Sequence, residues 1–289
     1  HDEQPELLQR RQGHFHREAR LLEKLLIEGR RQGVLSFVGA RATADAGQFK
    51  KNLMAGTTLR KEIADYAALC RTWHNGRTLP WADKGARLLP TSMFFDYKQE
   101  ANARRDYFNA KVSQFIDNYP TLVARAQNNL GDLFNPADYP SVDEVASKFG
   151  FRLVFLPIAE SGDFRIDVGN SELDELRAQY ESAYESRVQD AMQVAWGKLH
   201  EALVTMSEKL TEPEGEKAKL FHGTFVSNAM ELCSLLSHLN VTKDPKLEMA
   251  RRELEKAMAN VDVTDIREDP GVRMDLKAQV DAVLGKYEW

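Results

Sequence analysis

The sequence predicts a mainly α fold: an elongated helical bundle with long antiparallel, coiled-coil-like helices and a small β-hairpin. Three observations carry this expectation. Apolar residues recur at steps of three and four along two long stretches, Phe94–Ala126 and Leu173–Leu210. The composition, 43% hydrophobic and 29% charged, is that of a soluble globular chain with a surplus of charge in helix-forming residues. A single region, 151–168, carries the strongest strand pattern.

Taken in order, residues 1–33 read as a basic N-terminal helical arm. Leu22, Leu25 and Leu26 share one helical face, and Arg10, Arg11, Arg17 and Arg20 supply positive charge. Such an arm suits either solvent or nucleic acid, and Phe15 is its one interleaved aromatic. Residues 34–90 form the next segment. A short apolar run at 34–38 suits a strand, and a helix is expected from about Gln48 to Trp73 on Leu59, Ile63, Tyr66, Leu69 and Trp73.

Residues 91–211 are expected to form a long helical hairpin. Its first arm carries Phe94, Tyr97, Ala101, Phe108, Val112, Phe115, Tyr119, Leu122 and Ala126, and Pro120 should kink or end it. Ser141 is placed to cap a short helix ending near Phe149. Between the arms, Phe151–Ile158 and the alternating Phe164–Val168 flank a turn with Gly162, and predict a β-hairpin insertion over 151–168. The second arm starts at Ser171, with Asp174 completing a capping pattern, and runs to Leu210. Residues 212–289 hold C-terminal helices near 217–239, 245–260 and 272–287, the last two introduced by Pro.

The motifs that mark common chemistries are missing from the sequence. There is no phosphate-cradling GxxxxGK[ST], no GxGxxG after a strand, no HExxH, no GxSxG and no EF-hand loop. His200-Glu201 lacks a second His four residues on, since Val204 stands there, and His14 and His16 cannot share a helix face. Cys70 and Cys233 lie far apart without metal spacing and read as free thiols of a reducing cytoplasm. No metal, no cofactor and no enzymatic activity are therefore expected. No apolar run is long enough to span a bilayer and no leader opens the chain, so the expectation is a cytoplasmic protein with no membrane partner.

The net charge of −5 hides an asymmetry: residues 1–111 carry a net +7 and residues 112–289 a net −12. A basic front and an acidic back suit head-to-tail self-association or an acidic partner, and also arise when surface charge merely drifts along a chain.

The stretch from Trp73 to Pro90 concentrates two of the four Trp with His74, two Pro and two Gly. Its binding reading makes His74, Asp83 and Arg87 a polar cluster framed by Trp73 and Trp81, able to stack a base or clasp a peptide. Its structural reading has the tryptophans plugging the end of a bundle while Asp83 and Arg87 pair with each other. Both stay open on the sequence alone.

The segment TLPWADKGARLLP at 78–90, followed by Phe94-Phe95-Asp96-Tyr97, resembles a family of uncharacterised proteins of tailed phages and integrative elements. Asn118-Tyr119-Pro120, Leu133-Phe134-Asn135, Ala137–Pro140 and Phe155-Leu156-Pro157 add to the resemblance, which covers about Phe37 to the C-terminus and leaves the arm outside. It implies no activity and no catalytic residues. It does imply a setting among phage and mobile-element genes of DNA metabolism, some beside MoxR/CobS-like AAA+ ATPases.

The expectation is then a non-enzymatic interaction or scaffold protein of a phage or mobile element in a bacterial host, acting as a homo-oligomer or adaptor, with an AAA+ ATPase as one candidate partner. The alternative is a nucleic-acid-binding protein using its basic front. A pore-forming role is disfavoured because Arg152, Arg165 and Asp167 make the hairpin tip too polar to insert.

Overall fold

The structure is a computed structural model that describes residues 51–82, 85–156, 158, 170–211, 224–259 and 261–289. The described residues form eight α-helices and one two-stranded antiparallel sheet: α1 Leu59–Arg77, β1 Leu79–Pro80, β2 Arg87–Leu88, α2 Phe94–Leu130, α3 Val142–Ala146, α4 Asn170–Leu210, α5 Thr224–Leu239, α6 Pro245–Met258, α7 Val263–Glu268 and α8 Pro270–Lys286. The mainly α class with a small hairpin is what the periodicity predicts. The basic arm, the run at 34–38 and the hairpin strand at 164–168 lie outside the described residues.

The chain divides into two compact units, one from described residues 51–74 and 96–156, the other from 75–95 and 158 onward. The two longest helices are counted in different units, α2 from Asp96 on in the first and α4 in the second, and each buries its seam in its own core. This differs from the expected hairpin of seam on seam over 91–211.

In the first unit Ile63, Phe108, Phe115, Tyr119, Leu122 and Val145 form the core, with Phe149 and Phe151 against it. Helix α1 starts eleven residues later than the pattern suggests, because a turn precedes it. Gly56 sits there at φ +84, where a Cβ would come within 2.7 Å of Asn129 Nδ2, itself donating to the Ala55 carbonyl at 2.9 Å. Leu69, expected on the buried face, is exposed; Cys70 takes the interior position.

Helix α2 runs through Pro120 for ten more residues. Proline removes one backbone donor, but Pro120 is exposed, where water can satisfy the released carbonyl, and buried Phe115, Tyr119 and Leu122 hold both sides of it. Ser141 caps α3 as expected, its Oγ accepting from the Glu144 amide at 3.2 Å. Residues 151–156 are irregular rather than strand.

In the second unit α4, α5, α6 and α8 enclose a larger core that includes Ala195, Leu199, Leu203, Cys233, Leu236, Leu247, Leu254 and Leu276. Asp244 and Asp269 cap α6 and α8 immediately before a proline, a start that the Pro spacing marked. Both cysteines are free and buried.

Candidate functional site

The Trp/His/Pro stretch is where the sequence concentrates its unusual side chains, and the structure divides it into two sets of contacts. In the first unit, Trp73 stacks on Tyr97 with ring centroids 4.6 Å apart. The Arg104 guanidinium lies 4.7 Å from the Trp73 ring centre and pairs with Glu100 at 2.7 Å. Arg104 Nε is shut off from solvent and has no hydrogen-bond partner among the described residues. His74 Nδ1 and the hydroxyl of buried Tyr97 are 2.5 Å apart, with the direction of donation set by the histidine tautomer. The Phe155 ring meets Tyr97 edge-on at 6.1 Å. Tyr97 is thus the hub that the sequence reading missed; its place on the Phe94–Ala126 seam marked it as apolar core, not as a partner for His74.

In the second unit, β1 and β2 pair Leu79 with Leu88 and Pro80 with Arg87. Trp81 N and Ala82 N both donate to the Ala86 carbonyl, at 3.1 and 3.4 Å, and Gly85 adopts φ +91, a conformation a side chain would strain. Arg87 reaches back over the turn: Nε donates to Thr78 Oγ1 at 2.5 Å, and a terminal nitrogen donates to the carbonyls of Thr78 and Asn75 at 2.8 and 3.2 Å. The Asn75 carbonyl belongs to the last turn of α1, where the helix leaves acceptors unused, and the Thr78 carbonyl to the residue just past its end. Trp81 meets Tyr184 of α4 edge-on at 5.4 Å. Asp83 lies outside the described residues. Leu79, fully buried, seats this hairpin in the core, with Leu88 and Leu89 packed beside it.

Of the five residues singled out, Trp73 and His74 therefore sit with Tyr97 and Arg104, and Trp81 and Arg87 with Tyr184 and Thr78. The four N-terminal arginines Arg10, Arg11, Arg17 and Arg20 lie outside the described residues. Among the described residues no group of three His, Cys, Asp or Glu side chains is placed to hold a metal ion, and no helix is long and apolar enough to cross a membrane.

The first unit also contains a cavity of about 40 Å³ between the turn at 52–54, α2 and the segment 138–149. Its walls are tied by polar groups that the sequence reading gave no such role. Tyr119 and Tyr139 donate to the carbonyls of Pro140 and Leu53, each at 3.0 Å. Lys51 donates to Asp138 at 2.5 Å, both largely buried. Burial, reinforced by neighbouring Asp138 and Tyr119, pushes the Tyr139 hydroxyl up to about 12, so it remains a donor at any physiological pH.

These features define a mainly α protein with a strapped hairpin and a small apolar cavity. The chain matches no protein-family model, no curated protein and no solved structure.

Proposed function

We propose that the protein is a non-enzymatic interaction protein, a scaffold or adaptor that works as an oligomer, in the phage or mobile-element setting that the resemblance implies. One observation carries the reading. The seam of α4 is buried from Ala191 to Leu210 and Val188 packs against the same core, yet the three-and-four spacing continues through Tyr184, Tyr180 and Leu176, which join no core among the described residues. Tyr184 is 40% exposed although Trp81 meets it edge-on, and Leu176 is only partly covered. A helix that keeps its apolar period past the edge of its own core presents a ready surface for a second helix.

The seam suits a copy of itself, since an antiparallel pair of identical segments closes with twofold symmetry. Sedimentation of the full chain across a concentration series is the direct test. A dimer or higher species that Leu176→Glu with Tyr184→Glu converts to monomer, at unchanged helix content, is the expected result. A monomer at all concentrations removes self-association and leaves the adaptor form, for which co-purification with a MoxR/CobS-type ATPase is the first experiment.

A further inference from the structure

The cavity of the first unit combines an apolar interior with two cations that form no ion pair among the described residues. Met54, Phe115, Val145 and Phe149 contribute its carbon surface. The polar groups in its wall are already occupied: both tyrosine hydroxyls donate to backbone carbonyls, and Asp138 accepts from Lys51. Arg60 and Lys148 also line it, and neither side chain has a hydrogen-bond or ion-pair partner among the described residues. Glu144 is near enough to Tyr119 to act on its hydroxyl, but Lys148 lies beyond the end of α3 and the two make no ion pair.

Two cations beside an apolar hollow, unpaired among the described residues, attract a negative charge more strongly than they would in open water, because the low-dielectric wall weakens screening. An arginine adds geometry, since its planar fork takes a carboxylate through two parallel hydrogen bonds. Size narrows the class further. About 40 Å³ corresponds to roughly three water positions, which is room for a few carbon atoms and far below the hundreds of Å³ of nucleotide or cofactor pockets. We infer that this cavity is a binding site for a short apolar monocarboxylate, with the carbon chain inside and the carboxylate held by Arg60 and Lys148. The inference is independent of how the α4 seam is used.

The test uses isocaproate as probe and isocaproamide as its neutral, nearly isosteric control. Titrated into the full chain and followed by the aromatic NMR signals of Phe115, Tyr119 and Phe149, isocaproate should bind saturably with a Kd of about 1 mM. The amide should bind at least about tenfold more weakly, and Arg60→Gln with Lys148→Gln should lower carboxylate affinity by about tenfold at an unchanged melting temperature. Equal binding of acid and amide overturns the anion site. So does wild-type affinity in a folded Arg60→Gln/Lys148→Gln protein, and so does the absence of saturable shifts up to about 20 mM.

Discussion

Leu79 occupies a two-residue strand and is fully buried against α4, and among the described residues it is the one fully buried side chain of a hairpin that Leu88 and Leu89 also press against the second core. Truncation there leaves a cavity that a strapped turn cannot easily collapse to fill. Leu79→Ala should cost about 2–5 kcal/mol in urea denaturation, and more than Trp81→Ala, whose ring is partly exposed and meets mainly Tyr184. Arg87 works differently, as a cation satisfying carbonyls at the end of α1. Arg87→Ala should cost about 2 kcal/mol, the range for hydrogen bonds from a charged donor, because the buried Thr78 carbonyl loses a charged hydrogen bond. Arg87→Lys should recover little of it, since an ammonium cannot reproduce the guanidinium's spread of donors over Thr78 Oγ1 and two carbonyls. An Arg87→Ala protein of wild-type stability that fails to bind its partner would move Arg87 from a fastening to a contact residue.

At the scale of elements, α6 shows how one helix makes stability depend on pH. Arg251, 8% exposed, grips Glu248 through two 2.9 Å hydrogen bonds and Glu255 through a third, and Arg252 donates to Glu248 as well. The Arg251 hydrogen bonds, with help from Arg252, draw the Glu248 carboxyl down to about 2 from the usual carboxylate range. A lowered pKa in the folded state means stability that is complete above the unfolded value of about 4.3 and lost as pH falls through about 2. Glu248→Gln should therefore cost about 1–3 kcal/mol at neutral pH. That difference from wild type should shrink between about pH 4.5 and pH 2, as read by melts across the range. A constant difference would show that Glu248 acts through packing instead. Elements of this kind were legible in advance where the cause is local. The Asp-Pro starts of α6 and α8, the Ser141 cap and the C-terminal half of the α4 seam all follow from neighbouring residues. Pro120 inside α2, the late start of α1 at Gly56 and the irregular 151–156 were not legible, because tertiary packing decides each of them. Sequence drew attention to the Trp/His/Pro stretch, but not to Tyr97, Leu79 or the Lys51–Asp138 tie, which depend on partners tens of residues away.

For the molecule as a whole, the question is what the basic front does in an assembly. Residues 1–111 carry net +7 although the chain is acidic, and Arg10, Arg11, Arg17 and Arg20 lie in its first twenty residues. An oligomer through α4 would multiply that charge, because each copy brings its own arm, and several arms on one strand would bind more tightly than one. A nucleic-acid contact of this kind has a signature independent of sequence: affinity falls with salt as counterions are displaced, with a log–log slope of about −0.9 per phosphate on duplex DNA. Binding of a labelled duplex measured from low to moderate salt should give a steep line. Replacing the four arginines by Ala should reduce the slope by up to about four units per copy while leaving the melting temperature alone. Charge drift without function predicts something else: weak binding with a shallow slope that the replacements do not change. No binding at low salt would remove nucleic acid from the account and leave the proposed protein contacts to be tested on their own.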